Sequence, residues 1–283
     1  MLELHCHTTC SDGTLTPRQL VETAIAAGVK ALAITDHDTL SGWDEAVQAA
    51  MALKTRGCDG LEIVPGVELS TVHGDRSMHI LGYYPNRDQL LPILHERLAS
   101  RKRRAIAMQE KLAALGYPIE LPQMGHGMAP GRPHVAAAMV QAGYVKSSQE
   151  AFDRFLVSGK PAYVSYEPFA AVEGIRVLRD CGAVPVWAHP YLFRGGEVTQ
   201  VLPDLLAAGL MGIEVYHPSH TPNQIETLRW LCQKHNLLIT GGSDYHGPTP
   251  DPKGKHAPLL NGFNLPLDLL VPLQRASSQS ENC

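Results

Sequence analysis

Short runs of apolar and β-branched residues alternate with amphipathic segments along the chain. Seven of these runs are continuous rather than alternating, which is typical of strands buried on both faces in a parallel sheet. The predicted strands are Leu2–His5, Ala31–Thr35, Glu62–Val67, Met78–Tyr83, Val184–Ala188, Ile213–Tyr216 and Leu238–Thr240.

The segments between these runs carry helix boundary signals. Thr16, Pro17 and Gln19 form a capping box with proline at the first helical position, and Gly28 ends that helix. Further helices are predicted over Ser41–Lys54, Pro168–Cys181 and Thr221–His235. Strands and helices in this order predict an α/β fold, a (β/α) barrel with seven strands rather than eight.

Residues 90–159 interrupt the alternation of strands and helices. This stretch predicts a long helix, a loop rich in glycine, proline and methionine, and two short helices, over Leu90–Leu115, Pro118–Pro133, His134–Ala142 and Ser148–Val157. We interpret it as a helical insertion that caps the site of a barrel formed by residues 1–89 and 160–283. The polar tail Gln274–Cys283 is expected to be frayed.

Length and charge limit the possible classes of protein. The 283 residues suit one large domain, or one domain with an insertion. The net charge of -4 excludes a broadly basic surface for nucleic acid, so any polyanion must bind locally. No apolar run approaches the roughly 18 residues of a membrane helix, and the N-terminus shows no secretion signal. With six scattered cysteines and no CxxC spacing, free thiols and a cytoplasmic location are expected.

Side chains that bind metals occur at the ends of the predicted strands. They are His5, His7, Asp12, Asp36, His37, Asp38, Glu68, His189, His217, Asp244 and His246. In a parallel barrel the C-terminal strand ends converge on one face, where active sites lie. His79 differs because it comes before most of its apolar run, which leaves the direction or register of that strand open.

The spacing of the first histidines is informative. His5 and His7 are two residues apart, so on a strand both point to the same face, while Cys6 points to the other. Asp244 and His246 repeat this spacing. Burying so many polar groups without a metal would leave costly unpaired atoms, so the set predicts a metal centre. A P-loop, a GxGxxG motif and a GxSxG elbow are absent from the sequence.

A family resemblance rests on these residues. The segments HCHTTCSDG, ITDHDT, GVELS, HILGYY, AHP and GSDYH resemble successive motifs of the PHP (polymerase and histidinol phosphatase) superfamily over essentially the whole chain. Within the insertion, RPHVAAAMVQAGY and AFDRFLVSGKPAYV are similar to the subgroup of 3′,5′-nucleoside bisphosphate phosphatases and 5′–3′ exoribonucleases. The resemblance implies a distorted (β/α)7 barrel with two to three divalent ions, often manganese; iron and zinc also suit the ligand types.

The resemblance also implies three metal positions with Glu68 as a bridging ligand. The first would use His5, His7, Glu68 and Asp244; the second Asp12, His37 and His246; the third Glu68, His79 and His189. Asp36 and Asp38 are expected to orient histidines rather than to bind metal directly.

Substrate contacts are expected within the insertion. Pro133 at the first position of a helix would place Arg132 at that helix N-terminus, a plausible anion site. The subgroup resemblance implies that Arg132 and His134 hold a second phosphate of the substrate. Lys160 and Arg194 are further candidates. The basic run 101–104 is either a solvated helix face or a short track for RNA.

These features predict a metal-dependent phosphoesterase, a hydrolase. It would remove phosphate from nucleoside 3′,5′-bisphosphates, trim short RNA from the 5′ end, or do both. Asp12, His37 and His217 are the candidate catalytic residues; His217 would protonate the leaving group or only orient the substrate. The alternatives are a phosphatase of another phosphomonoester, such as histidinol phosphate, and a barrel that binds metal or nucleotide without catalysis. A phosphorylated nucleotide or short RNA is the expected partner, with no membrane and no obligate protein partner.

Overall fold

In the part of the chain that the structure describes, seven strands form one sheet in which each strand lies beside its neighbour in the chain, from β1 to β7. The computed structural model describes residues 1–55, 60–124, 128–165, 168–248 and 259–280. The strands are β1 Leu2–Glu3, β2 Ala31–Ile34, β3 Glu62–His73, β4 Arg76–Tyr83, β5 Val184–Trp187, β6 Gly212–Tyr216 and β7 Leu238–Gly241. All seven predicted strands are therefore present. Six differ by one or two residues at their ends, but β3 continues six residues past its predicted end at Val67, so Glu68 lies within the strand.

The sheet nearly closes on itself, because the residues that follow β1 meet those that end or follow β7. The amide of Leu4 donates to the carbonyl of Gly241 (3.3 Å), and the amide of His7 donates to the carbonyl of Tyr245 (2.9 Å). Cys6 and Tyr245 form an isolated parallel bridge. The prediction of a distorted seven-stranded barrel is confirmed.

Strand β4 corrects the expectation that all the strands run parallel. It is antiparallel to both β3 and β5, and it pairs His79 with Ser70 of β3. A tight turn with Gly74 in the left-handed region (φ 62°) joins β3 to β4. Because β4 runs in the opposite direction, its first residues lie at the end where the other strands finish, which accounts for the early position of His79.

The helices follow the boundary signals of the sequence at several places. They are α1 Pro17–Ala26, α2 Trp43–Thr55, α3 Arg87–Ala114, α4 Arg132–Gln141, α5 Ser148–Ala151, α6 Ala171–Asp180, α7 Val198–Ala207, α8 Pro222–His235 and α9 Leu270–Ser280. Thr16 and Gln19 form the predicted capping box of α1. A π-helical turn, Phe152–Leu156, continues α5, so the last predicted helix of the insertion has two parts. No helix within the described ranges is long and apolar enough to cross a membrane.

Two of the helices in the described ranges were not predicted. Helix α7 contains Pro203 and begins without a side-chain cap, which hides its start, although its apolar residues recur at helical spacing. Helix α9 includes most of the tail that was expected to be frayed. Its residues Leu270 and Leu273 are buried against Leu2 and Leu265 in the core of the barrel, and this packing orders the helix.

The chain divides into two compact units, which we call the barrel unit (Met1–Leu91 with Phe169–Cys283) and the inserted unit (Pro92–Pro168). The barrel core is apolar and includes Val64, Leu81 and Val186. The inserted unit has its own core, in which Met108 of α3, Val135 of α4 and Phe155 lie together. The predicted boundaries at residues 90 and 159, and the role of the insertion as a cap, stay predictions.

The packing of α9 yields a stability prediction. Leu273→Ala removes a fully buried side chain, so we expect it to lower the free energy of unfolding by about 2–5 kcal/mol. Val271→Ala, on the same helix but 42% exposed, should change it by less than about 0.5 kcal/mol. Chemical denaturation measures both variants. Equal effects would contradict the burial of α9 in the barrel core.

Candidate metal centre

The strand ends of the barrel unit bring the predicted metal-binding side chains into one cluster. Most of these side chains lie within a few residues of the end of a strand, so the strand fixes their positions. Glu68 and His79 lie within their strands. The cluster contains His5 and His7 after β1, His37 after β2, Glu68 in β3, His79 in β4, His189 after β5, His217 after β6, Asp244 and His246 after β7, and Asp12. Asp12 lies in the loop between β1 and α1.

The carboxylate of Glu68 is at the middle of this cluster and is 1% exposed. Its Oε2 atom lies 3.2 Å from Nε2 of His5 and 3.1 Å from Nε2 of His7. The same oxygen is 3.3 Å from Nδ1 of His37. One carboxylate oxygen therefore faces ring nitrogens from two neighbouring strands.

The second oxygen of Glu68 faces another pair of histidines. Oε1 lies 2.9 Å from Nδ1 of His79 and 2.9 Å from Nε2 of His189. The antiparallel strand β4 supplies His79, and the turn after β5 supplies His189. Glu68 thus has the geometry of a bridging group between two sets of imidazoles.

Asp244 also faces the histidines that follow β1. Its Oδ1 atom lies 3.3 Å from Nε2 of His5 and 3.2 Å from Nε2 of His7. Its Oδ2 atom lies 3.4 Å from Nε2 of His217. With Glu68, these side chains supply the donors of a cation site, two imidazoles and two carboxylates.

Asp12 gathers a further set of rings at the more exposed side. Its Oδ1 atom lies 3.4 Å from Nδ1 of His7 and 3.4 Å from Nε2 of His246. Its Oδ2 atom is 3.7 Å from Nε2 of His37. His7 therefore touches both sets, with one ring nitrogen toward each.

Three groups within the described residues have ligand atoms close enough to share an ion. They are His5, His7, Glu68 and Asp244; His7, Asp12, His37 and His246; and His37, Glu68 and His79. The first equals the first implied position, and the second adds His7 to the implied set. The third has His37 in place of His189, although His189 also contacts Glu68. Ligation by each residue stays a prediction.

The cluster fits divalent ions on the basis of its buried ring nitrogens. Among the described residues, Nε2 of His5, Nε2 of His7 and Nδ1 of His37 are buried and have no partner with hydrogen-bond geometry, although each faces a carboxylate oxygen at 3.1–3.3 Å. Polar atoms that converge in a buried place without hydrogen bonds are costly, and a cation between them would provide the shared partner. Imidazole nitrogen and carboxylate oxygen suit manganese, iron and zinc alike, so the donor set agrees with a multinuclear site but does not select the metal.

Opposite charges within the cluster shift the pKa values of the neighbouring groups toward their charged forms. Burial opposes a charge on His7, yet the carboxylates of Asp244 and Glu68 raise its pKa to about 10. Burial would raise the pKa of Glu68, but the rings of His37 and His5 hold it well below its usual range. The carboxylates are therefore ionised at neutral pH, the state in which they bind cations.

The backbone around the cluster is held in unusual conformations. His189 and Asp244 have φ values of 33° and 52°, in the left-handed region that residues with a side chain rarely adopt. Such conformations persist where surrounding contacts stabilise them and are common at functional sites. Gly242 allows a close approach, since a Cβ atom there would lie 2.5 Å from the Cβ atom of His5.

Sequence reasoning missed Glu214, which is fully buried in β6. Its Oε1 atom lies 2.8 Å from Nδ1 of His5, and its Oε2 atom accepts a hydrogen bond from the amide of His189 (2.8 Å). The available signal was a single acid within the apolar strand sequence GIEVY. A buried acid in such a strand requires a partner, and the histidines provide it.

Asp36 and Asp38 have structural contacts that the sequence did not predict. Asp36 accepts hydrogen bonds from the amide and hydroxyl of Thr8 and from the hydroxyl of Ser11 (2.6–2.7 Å). Ser11 Oγ in turn lies 3.5 Å from Nδ1 of His7. Asp36 therefore holds the loop after β1 in the conformation that places Ser11 beside His7. Asp38 accepts a hydrogen bond from the amide of Ser70 (2.9 Å).

The predicted substrate contacts lie in both units. In the inserted unit, Arg132 is the first residue of α4, with Pro133 at the second position rather than the first. The amide of Gly131 donates to Nδ1 of His134 (3.0 Å), and Lys160 is exposed. Arg194, in the barrel unit, is also exposed.

Comparisons with known proteins place this architecture in a family. The family model of the PHP domain matches residues 3–121. A 5′-3′ exoribonuclease of Haemophilus influenzae is 35% identical over 253 residues, which cover 87% of this chain and 90% of that protein. This chain belongs to the PHP family. The resemblance found in its motifs is confirmed.

Two other proteins show how far the PHP similarity extends. A 3′,5′-nucleoside bisphosphate phosphatase of Chromobacterium violaceum is 32% identical over 260 residues, covering 87% of each chain. The structure of a candidate metal-dependent phosphoesterase from Bifidobacterium adolescentis is 31% identical and superposes with a TM-score of 0.68 over 97% of this chain and 96% of the other. PHP membership and the cluster around Glu68 together identify the chain as a metal-dependent phosphoesterase, as predicted.

The bridging geometry of Glu68 predicts its effect on metal binding. Glu68→Gln keeps the shape of the side chain but removes the negative charge between the two sets of imidazoles, so we expect metal content to fall to well below half of the wild-type value. Elemental analysis after gel filtration measures it. Glu62→Gln, the same change at the exposed start of β3, is the control and should keep full metal content. Full metal content in Glu68→Gln would contradict the bridging role.

Proposed function

We propose that this PHP phosphoesterase removes phosphate from nucleoside 3′,5′-bisphosphates and trims short 5′-phosphorylated RNA. The observation that carries the proposal is the overlap of three ligand groups around His7, His37 and Glu68. Sites with two or more close cations stabilise both the attacking and the leaving oxygen of phosphoryl transfer. The names of the relatives support a nucleotide substrate.

The residues that would hold the ions are those of the cluster. Bound divalent ions would lower the pKa of water toward neutrality and neutralise the phosphoryl oxygens. The ligands of the three positions would be His5, His7, Asp12, His37, Glu68, His79, His189, Asp244 and His246. Asp12 and His37 lie toward the exposed side of the cluster and would be nearest to the incoming substrate.

His217 is oriented as a hydrogen-bond donor. The amide of Ser219 donates to its Nδ1 atom (3.1 Å), so in the neutral ring the proton is on Nε2. Nε2 lies 3.4 Å from Asp244, beside the first ligand group. We infer that the Nε2–H group of His217 donates a hydrogen bond to an oxygen of the substrate and orients it, because loss of that proton from a neutral ring would leave an imidazolate.

Arg132 and His134 would hold a second phosphate of the substrate. Both belong to the first turn of α4, where the positive end of the helix dipole favours anions. Since Nδ1 of His134 accepts from Gly131, its Nε2 atom carries the proton of the neutral ring and can donate to a phosphate oxygen. His134 also lines a cavity of about 690 Å³ with Ile119 and Gln141, a size typical of small-molecule sites.

The charge of the inserted unit favours a polyanionic substrate over a neutral one. Residues 92–168 contain ten lysines and arginines and six acids, a net charge of +4, whereas the rest of the chain has a net charge of -8. The basic residues include Lys102 and Arg103 of the run 101–104, which are exposed. An excess of positive charge confined to one unit is the electrostatic pattern of local RNA binding.

A substrate comparison tests the proposed function. With Mn²⁺, the purified protein should release phosphate from adenosine 3′,5′-bisphosphate and mononucleotides from a short 5′-phosphorylated RNA. His7→Ala should abolish both reactions, because His7 belongs to two ligand groups. Product analysis by chromatography and a phosphate assay measure the rates. Faster turnover of histidinol phosphate than of either nucleotide substrate would contradict the proposal.

The role of Arg132 makes a separate prediction. Arg132→Ala should lower kcat/KM for adenosine 3′,5′-bisphosphate roughly 10- to 100-fold, because a charge-assisted hydrogen bond contributes about 1.5–3 kcal/mol. Hydrolysis of p-nitrophenyl phosphate, which has one phosphate, should be unchanged. Arg154→Ala is a matched control, since Arg154 also lies over a phenylalanine ring of the inserted unit. Equal losses on both substrates would show that Arg132 does not bind a second phosphate.

A further inference from the structure

Glu214 is a buried acid with two separate partners in the metal centre. It is 0% exposed and lies in β6, a strand whose neighbouring residues Ile213 and Val215 are apolar and buried. A buried carboxylate is costly unless hydrogen bonds satisfy it. Each oxygen of Glu214 has one such contact, one with His5 after β1 and the other with His189 after β5. The carboxylate therefore contacts residues that follow two different strands.

The first contact fixes the ring of His5. Nδ1 of His5 lies 2.8 Å from Oε1 of Glu214, and its Nε2 atom faces Glu68 and Asp244 at 3.2 and 3.3 Å. A carboxylate that accepts from one ring nitrogen leaves the other free as a ligand and fixes the orientation of the ring. Glu214 therefore selects Nε2 as the ligand atom of His5.

The second contact fixes the turn that carries His189. The amide of His189 donates to Oε2 of Glu214 at 2.8 Å. This residue has a left-handed backbone (φ 33°), and its ring places Nε2 2.9 Å from Oε1 of Glu68. Because an isolated left-handed residue tends to relax, the hydrogen bond from its amide stabilises the conformation that aims the ring at Glu68.

We propose that Glu214 is a positioning residue that couples two metal positions, by orienting the ring of His5 with one oxygen and anchoring the strained turn at His189 with the other. His5 belongs to the first ligand group, and His189 faces the other oxygen of Glu68. The remaining group of His7, Asp12, His37 and His246 includes no residue that Glu214 contacts through a hydrogen bond. This proposal rests on the metal positions of the proposed function but not on its substrate.

Glu214→Gln tests the coupling. The variant keeps the shape of the side chain, but its amide nitrogen is a donor and cannot accept from either Nδ1 of His5 or the amide of His189. One of the two contacts is therefore lost. We expect the affinity for Mn²⁺ to fall about 10- to 100-fold at the position whose contact is lost, either that of His5 or that of His189, as is typical when the partner of a ligand histidine is removed. The group that includes Asp12 and His246 should keep its ion.

Metal binding is measured by isothermal titration with Mn²⁺ alone and by elemental analysis, without any phosphoester, so failure of the substrate assignment cannot imitate failure of this proposal. Val215→Ala is the control: it creates a cavity in the same strand, and it should lower the melting temperature without changing metal affinity. Wild-type affinity in Glu214→Gln, or an equal loss at every position, overturns the proposal. If Glu214→Gln does not fold, Glu214→Asp, which is too short to reach both partners, replaces it with the same expected result.

Discussion

The buried carboxylate of Glu68 is the group on which the rest of the site depends. It lies where imidazoles from the ends of β1, β2, β4 and β5 meet, and it is almost completely removed from water. A charge in such a place is stable only when opposite charges and hydrogen bonds surround it. The barrel meets this requirement by directing a histidine toward Glu68 from each of these strand ends, and the same arrangement creates room for cations.

The reversed direction of β4 follows from the same constraint. A strictly parallel strand at this place would carry His79 toward the opposite end of the barrel, away from Glu68. With β3 and β4 joined as a hairpin, His79 pairs with Ser70 in the register and reaches the same face as His189. The distortion of the barrel is therefore what completes the set of ligands around the second oxygen of Glu68.

Sequence patterns predicted the strands and the candidate ligands because both depend on local spacing. The pair His5 and His7 could be assigned to one face from a period of two, and the cap of α1 from Thr16 to Gln19. The direction of β4 stayed open, since an apolar run reads the same way in either direction and the early position of His79 agrees with a shift of register as well as with a reversal. Glu214 was missed because its partners, His5 and His189, are distant along the chain. Helix α9 was missed because its burial depends on packing against the core of the barrel unit.

The alternation that directs His5 and His7 inward has a consequence for Cys6 between them. Its thiol is fully buried on the other side of the backbone, and burial together with nearby carboxylates raises the pKa of the thiol well above its usual value. No cysteine of the described ranges belongs to a ligand group. Soft ions such as cadmium or copper(I) thus find only nitrogen and oxygen donors in the cluster, and oxidants meet no thiolate there. The thiol of Cys6 is therefore one residue away from two candidate ligands and still takes no part in the metal centre.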